Sequence, residues 1–133
     1  MDVRIYYEDT DAGGVVYHAN YIKYLERART ELFRSHGFFV AELAKNGFVF
    51  PVVRLEIDFK APAVHDDLIS VITAPVRVGG SSVTLCQKIV RQNDRKLLVE
   101  GLVTLACISP ALKARRIPLE IRQMLEANLE KVA

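Results

Sequence analysis

Apolar residues recur at helical spacing through "HANYIKYLERARTELFRSHG", residues 18–37. Tyr21, Tyr24, Leu25, Ala28 and Leu32 fall on one side, while Lys23, Glu26, Arg27, Thr30, Glu31 and Arg34 cover the other. The spacing predicts an amphipathic helix. Asn20, or a residue just before it, is the candidate N-cap, and Gly37 suits a left-handed stop. A weaker helical piece, "VAELAKNG", follows and ends at Gly47. The period then changes to two. In "VVRLEIDFK", Val53, Leu55, Ile57 and Phe59 alternate with Arg54, Glu56, Asp58 and Lys60, as in a half-buried antiparallel strand.

Further strands are expected at "LISVITAPVRV", "VTLCQKIV" and "KLLVEGLVTLACIS". Pro75 marks an edge or a bulge in the first of these. "GGSS" and "RQNDR" are the turns between them, and "APAVHDD" is a loop. Before the long helix, "VRIYY" (3–7) is β-branched and aromatic and reads as a strand. Pro118 opens a last helix with Ile121, Leu125 and Leu129 on one stripe. The expected order is strand, long helix, four strands in a meander, terminal helix. That is an α+β class: a sheet of about five mostly antiparallel strands covering one central helix. The open edges of such a sheet invite pairing with a second copy, so a homo-oligomer is expected.

Composition narrows the class. The chain has 133 residues, 50% of them hydrophobic, which is one domain (1–133) with a full core. A net charge of +2 gives no electrostatic argument for nucleic acid. No run approaches the roughly 18 apolar residues of a membrane span, so no membrane insertion is expected. The start, "MDVRIYYED", shows no basic head before an apolar run, and no signal peptide is visible. Cys86 and Cys107 lie in apolar alternating stretches and read as core or pocket-side filler in a reducing cytoplasm rather than as a disulfide.

The chemistry concentrates in "YYEDTDAGGVVYHANY" (6–21), where three acids and two glycines precede the helix. A solvated acidic loop would use Glu8, Asp9 and Asp11 as turn residues. A metal site would draw on Asp9, Asp11 and His18, but the spacing fits neither a calcium loop nor a zinc motif. A phosphate cradle fits the glycines but not the acids, and lacks the P-loop lysine. The fourth reading uses every feature. Unpartnered amides at the helix start polarise a carbonyl, glycines allow close approach, and an upstream carboxylate attacks that carbonyl or activates water. An ordinary aspartate, with a pKa of about 3.9, is a feeble base that suits an activated acyl group such as a thioester.

The run "YYEDTDAGGVVYHANYIKYLERARTE", continued through "FVFPVVRLEIDFKAPAVHDDLI" and "GGSSVTLCQKIV", resembles the hotdog-fold acyl-CoA thioesterases of the 4-hydroxybenzoyl-CoA thioesterase group. It is most similar to bacterial thioesterases associated with the Tol-Pal envelope system. The resemblance implies a curved sheet wrapped around the long helix and a homodimer or homotetramer (a dimer of dimers) with sites at the subunit boundary. It implies Asp11 as catalytic carboxylate and His18, or its neighbour, as the helix-mouth residue whose amide binds the thioester carbonyl. It further implies Tyr7 and Gly14 as substrate-binding residues of the pocket and Ser82 as a contact near the pantetheine or nucleotide. Acyl-CoA is the substrate implied, with acyl carrier protein as a further candidate, and no cofactor or metal is required. The residues themselves leave other roles open. Asp9 and Glu8 read as structural, His65 and His36 as surface or capping groups, and Tyr21 and Tyr24 as core. Phe48, Phe50, Pro51 and Val52 are acyl-pocket or core residues, and Lys113 to Arg116 are a solvated face or an attraction for phosphate. The alternatives to hydrolysis are an acyl-CoA or carrier-protein binding scaffold with little turnover, and a hotdog dehydratase.

Overall fold

The computed structural model describes residues 1–130. Its elements are β1 (Asp2–Arg4), α1 (His18–Ser35), α2 (Val40–Lys45), β2 (Val52–Phe59), β3 (Leu68–Val78), β4 (Ser82–Arg91), β5 (Leu97–Ala106) and α3 (Leu119–Ala127). They form a five-stranded sheet in the order β1-β3-β4-β5-β2, with every neighbouring pair antiparallel. The α+β class and the strand count follow the sequence pattern. The meander holds only for β3-β4-β5. β2 pairs with β5 across the sheet, with Ile57 opposite Gly101. The segment "KAPAVHDD" therefore carries the chain from one side of the sheet to the other, a placement that alternation within a strand cannot encode.

α1 lies on the sheet with Tyr21, Tyr24, Leu25, Ala28 and Phe33 buried. Phe33, rather than Leu32, completes the buried stripe; Leu32 is half-buried. Gly37 ends the helix at φ 85°, the conformation its missing Cβ allows. Gly101 on β5 lies fully under α1. A Cβ there would stand 3.2 Å from the Glu56 carbonyl and 3.8 Å from Leu25 Cδ1. Two apolar clusters result. One joins the first half of α1 to Ile69, Val71 and Ile89, and the other joins Phe33 to Leu85, Val103 and α3. Between them sits Gln87, the buried polar residue of the described core, at 0% exposure.

Other expectations shift locally. Tyr7 leaves the first strand and starts a 3-10 turn, Tyr7–Asp9. Pro75 marks a bulge, with the register shifting between Pro75 and Arg77, and also a local edge, because β1 pairs β3 only at Leu68, Ile69 and Ser70. In α3, Ile121, Met124 and Leu125 are buried, while Leu129 lies beyond the helix and is exposed. On β2, Leu55 and Ile57 are half-buried, but Val53 and Phe59, near its opposite ends, are exposed at 61% and 47%; Val53 falls in the register shift between Val52 and Arg54. Cys86 and Cys107 are free thiols, as expected.

The loop before β3 is tied to α1 by the buried Tyr21 hydroxyl, which accepts the Ala63 amide at 2.9 Å. Tyr21→Phe strands that amide. The expected cost is about 1–3 kcal/mol, read as a lowered urea midpoint with an unchanged denaturant slope.

Candidate active site

The acidic segment packs as a 3-10 turn followed by a small hairpin. Asp9 organises both. Its Oδ2 accepts the Tyr6 amide at 2.8 Å, and its carbonyl accepts the Tyr17 amide at 3.0 Å and Asn20 Nδ2 at 2.9 Å. Thr10 bridges antiparallel to Val16, and the Asp11 amide donates to the Val15 carbonyl at 2.9 Å. Residues 11–14 close the turn: the Gly14 amide donates to the Asp11 carbonyl at 3.0 Å, with Gly14 at φ 81°. Asp11 Oδ1 accepts the Gly13 amide at 2.8 Å, leaving its second oxygen in an exposed position. Asp9 is thus structural, as its sequence position suggested, while Glu8 and Asp11 face solvent.

The hairpin delivers the chain to the start of α1 without a side-chain cap. Tyr17 is the N-cap, and the first turn holds no acid. Asn20 is not the cap. Its amide turns back to the Tyr17 carbonyl, and its side chain ties the helix to Asp9. Among the described residues the His18 and Ala19 amides take no protein acceptor. They keep the partial positive charge of a bare helix start. Beside them a surface depression is lined by Val16, His18, Tyr21, Phe59, Ala61 and Pro62. The His18 ring packs on Tyr17 and edge-on to Phe59, at centroid distances of 4.7 and 6.0 Å.

Asp11, Gly14 and His18 therefore share one hairpin-to-helix unit. Tyr7 stands close in chain and is 79% exposed, with its ring edge-on to His65 at 6.1 Å. Ser82 does not join them. It opens β4 opposite Ala106, at the far end of β3 from Leu68. The loop that meets the acidic hairpin bridges Val64 to Val15 next to the Leu68 end. An eleven-residue strand separates the two ends by roughly 35 Å, so one chain cannot bring Ser82 to Asp11. Phe48 and Phe50, flagged as acyl-pocket residues, line a chamber of 220 Å³ with Phe33 and Leu105. The sequence reading missed Phe59 as a site wall, and it missed Gln87. The signal for Gln87 was present, since it occupies an inward position of "VTLCQKIV".

No groups of three or more His, Cys, Asp or Glu side chains converge as metal ligands among the described residues. The thiols are poor nucleophiles, because burial pushes both Cys86 and Cys107 up from the usual thiol range. No helix is long and apolar enough to cross a membrane.

Residues 13–98 match the family described as the Thioesterase superfamily. The chain is 42% identical over 120 residues to a protein named acyl-CoA thioester hydrolase YbgC from Escherichia coli O6:H1, covering 90% of this chain and 89% of that one. A solved probable thioesterase from Bartonella henselae is 36% identical with a TM-score of 0.83, covering 89% of this chain and 97% of that one. A hypothetical protein, TT1821, from Thermus thermophilus is 30% identical with a TM-score of 0.88, over 96% and 97% of the two chains. The fold is the hotdog arrangement that the motif resemblance implied.

The Tyr24 hydroxyl is buried under the acidic segment without a hydrogen-bond partner. Burial, and then the nearby Asp9 carboxylate, push its phenol well above the ordinary value. Folded Tyr24 holds its proton where the unfolded chain, with a pKa near 10.0, has lost it. Stability from this group is complete below pH 10 and is lost as pH rises above it. Urea midpoints should fall across that alkaline range, and Tyr24→Phe should flatten the fall.

Proposed function

We propose that this chain, which belongs to the thioesterase superfamily, hydrolyses acyl-CoA thioesters to the free acid and CoA. The observation that carries the reading is the uncapped start of α1. The His18 and Ala19 amides have no protein acceptor, no acid sits in the first turn, and Asp11 lies one hairpin away with a free carboxylate oxygen. In this mechanism the thioester carbonyl oxygen sits at those amides. They polarise it and stabilise the oxyanion as the tetrahedral centre forms. Asp11 serves either as the base for the attacking water or as a nucleophile whose acyl anhydride water then cleaves to release the acid; in both, the C–S bond breaks and CoA leaves as the thiol or thiolate. Gly14 keeps the turn free of a side chain on the approach, and Tyr7 walls the outer side of the site.

A second copy belongs to the same proposal. β2 is a sheet edge whose outer flank is unpaired, and Val52, Val53 and Phe59 are exposed along it. Pairing two such edges covers them and continues the sheet. Ser82, remote from Asp11 within one chain, contacts the CoA portion only if the second copy supplies it. The opposite sheet face carries exposed Ile72 and Leu102, a surface on which two dimers would stack into a tetramer. Acyl carrier protein as an alternative thioester donor and the Tol-Pal association rest on the motif resemblance, and a cytoplasmic setting rests on the free thiols of Cys86 and Cys107. The bare helix start beside an available carboxylate favours turnover over a scaffold that only holds acyl-CoA.

Asp11→Asn should lower kcat by at least about 10²-fold while leaving the fold and the binding of a non-hydrolysable thioether analogue intact. Retention of most thiol release by that variant would remove Asp11 from the mechanism. Gel filtration with light scattering should give a mass at least twice 15.0 kDa. Charging the β2 edge with Val53→Lys should shift it toward one chain.

A further inference from the structure

A chamber of 220 Å³ opens beside the second half of α1. It shares no lining residue with the depression at the helix start. Arg29 on its wall lies about 16 Å along the helix axis from His18. Within one chain it is therefore a separate cavity. Its inner surface is apolar and aromatic. Phe33 and Leu105 are buried, and Phe50 stands edge-on to Phe33 at a centroid distance of 5.5 Å. Phe48 adds a third ring, covered by the Arg115 guanidinium 3.8 Å from its centroid. A cavity of about 150 Å³ with apolar and aromatic walls takes up benzene. The larger volume here admits one aromatic ring with a short substituent.

This apolar space carries a charge on its wall. Arg29 is half-buried and donates from Nη1 to Gln87 Oε1 at 3.1 Å. The other N–H groups of its guanidinium take no protein acceptor among the described residues, and it makes no ion pair among them. Gln87 is itself fixed, because its Nε2 donates to the Leu25 carbonyl at 2.9 Å and to Thr73 Oγ1 at 3.0 Å. The guanidinium is thereby held as a donor fork of the kind that suits a carboxylate. Burial presses on its charge, and Glu26 helps to keep it. Glu26 also lines the chamber, but it is exposed and forms no ion pair with Arg29. Water and salt around that exposed carboxylate screen its repulsion of a second anion. A half-buried cation without a counter-charge costs stability, and an incoming carboxylate supplies one.

We propose that this chamber binds a small aryl carboxylate, with the ring among Phe33, Phe48 and Phe50 and the carboxylate on Arg29. Both halves of the ligand are needed. The ring removes apolar surface from water and meets other rings edge-on. The carboxylate accepts from donors already in position, so little freedom is lost on binding. A neutral ring strips water from the guanidinium without replacing it by a strong acceptor. A bare carboxylate leaves the aromatic walls in water. The site uses neither Asp11 nor the uncapped helix start, so it stands or falls apart from the hydrolase reading.

The test titrates phenylacetate, phenylacetamide and acetate into the full chain, followed by calorimetry and by two-dimensional amide NMR. Phenylacetate should bind with a Kd of about 1 mM or tighter. Phenylacetamide should bind at least about tenfold more weakly, and acetate should not bind measurably. Ring protons of bound phenylacetate should show intermolecular NOEs to the Ala44 methyl group, which lines the chamber. Arg29→Gln should bring acid and amide to equal affinity, while Arg29→Lys, which keeps the charge, should retain a preference for the acid. Equal affinity of the wild type for acid and amide overturns the proposal, as does an undiminished acid preference in folded Arg29→Gln. Ring NOEs confined to residues outside the chamber overturn it too, and so does the absence of phenylacetate binding up to about 10 mM. Should Arg29→Gln fail to fold, the comparison of acid with amide on the wild type still decides.

Discussion

A buried amide joins α1 to the middle of the sheet: Gln87 donates to the Leu25 carbonyl and to Thr73, and accepts from Arg29. It stands where one apolar cluster ends and the other begins. An unpaired amide there would carry a desolvation cost of about 1–3 kcal/mol, so the network holds only when helix and sheet sit in one relation. Apolar packing alone tolerates sliding and rotation, whereas directional bonds do not. The helix start and the acidic hairpin that packs against it take their positions from that relation.

Tension between stability and chemistry is visible at the helix start. Eighteen residues of helix could have been capped by Ser, Asp or Asn, yet Tyr17 occupies the cap position and contributes no side-chain bond. The amides left without partners forgo a cap of about 1 kcal/mol. Compensation comes from the hairpin behind them. Asp9 gathers Tyr6, Tyr17 and Asn20, and Tyr21 holds Ala63, so the start of the helix is fixed by its surroundings. A rigid, uncapped helix start can stabilise a developing negative charge without first rearranging.

Edges and faces left open give the other half of the architecture. Leu55 and Ile57 of β2 are half-buried, and Phe59 at its end packs against His18 and Tyr21, beside the depression at the start of α1. The substrate region and the uncovered sheet edge are therefore neighbours.

The residues of the site were legible because their chemistry is local. A carboxylate, two glycines and a helix start lie within eight residues, and a short segment with turn signals folds much the same way in any context. Helix and strand periods placed α1, β3 and β4 within a residue or two of their observed bounds and overran the end of β5 by three, since each buries one face and the burial writes the period. The role of Tyr7 as turn rather than strand, and of Phe33 rather than Leu32 on the buried stripe, depended on which way the sheet curls around the helix. Sequence by itself determined the elements, the class and the candidate acid, because these follow from propensity, periodicity and nearest-neighbour chemistry. Only the tertiary structure decided that β2 crosses to pair with β5, that Ser82 lies at the far end from Asp11, and that Gln87 bonds to Arg29. Each of those is a contact between residues many positions apart, and no local pattern carries the cost of closing the intervening chain.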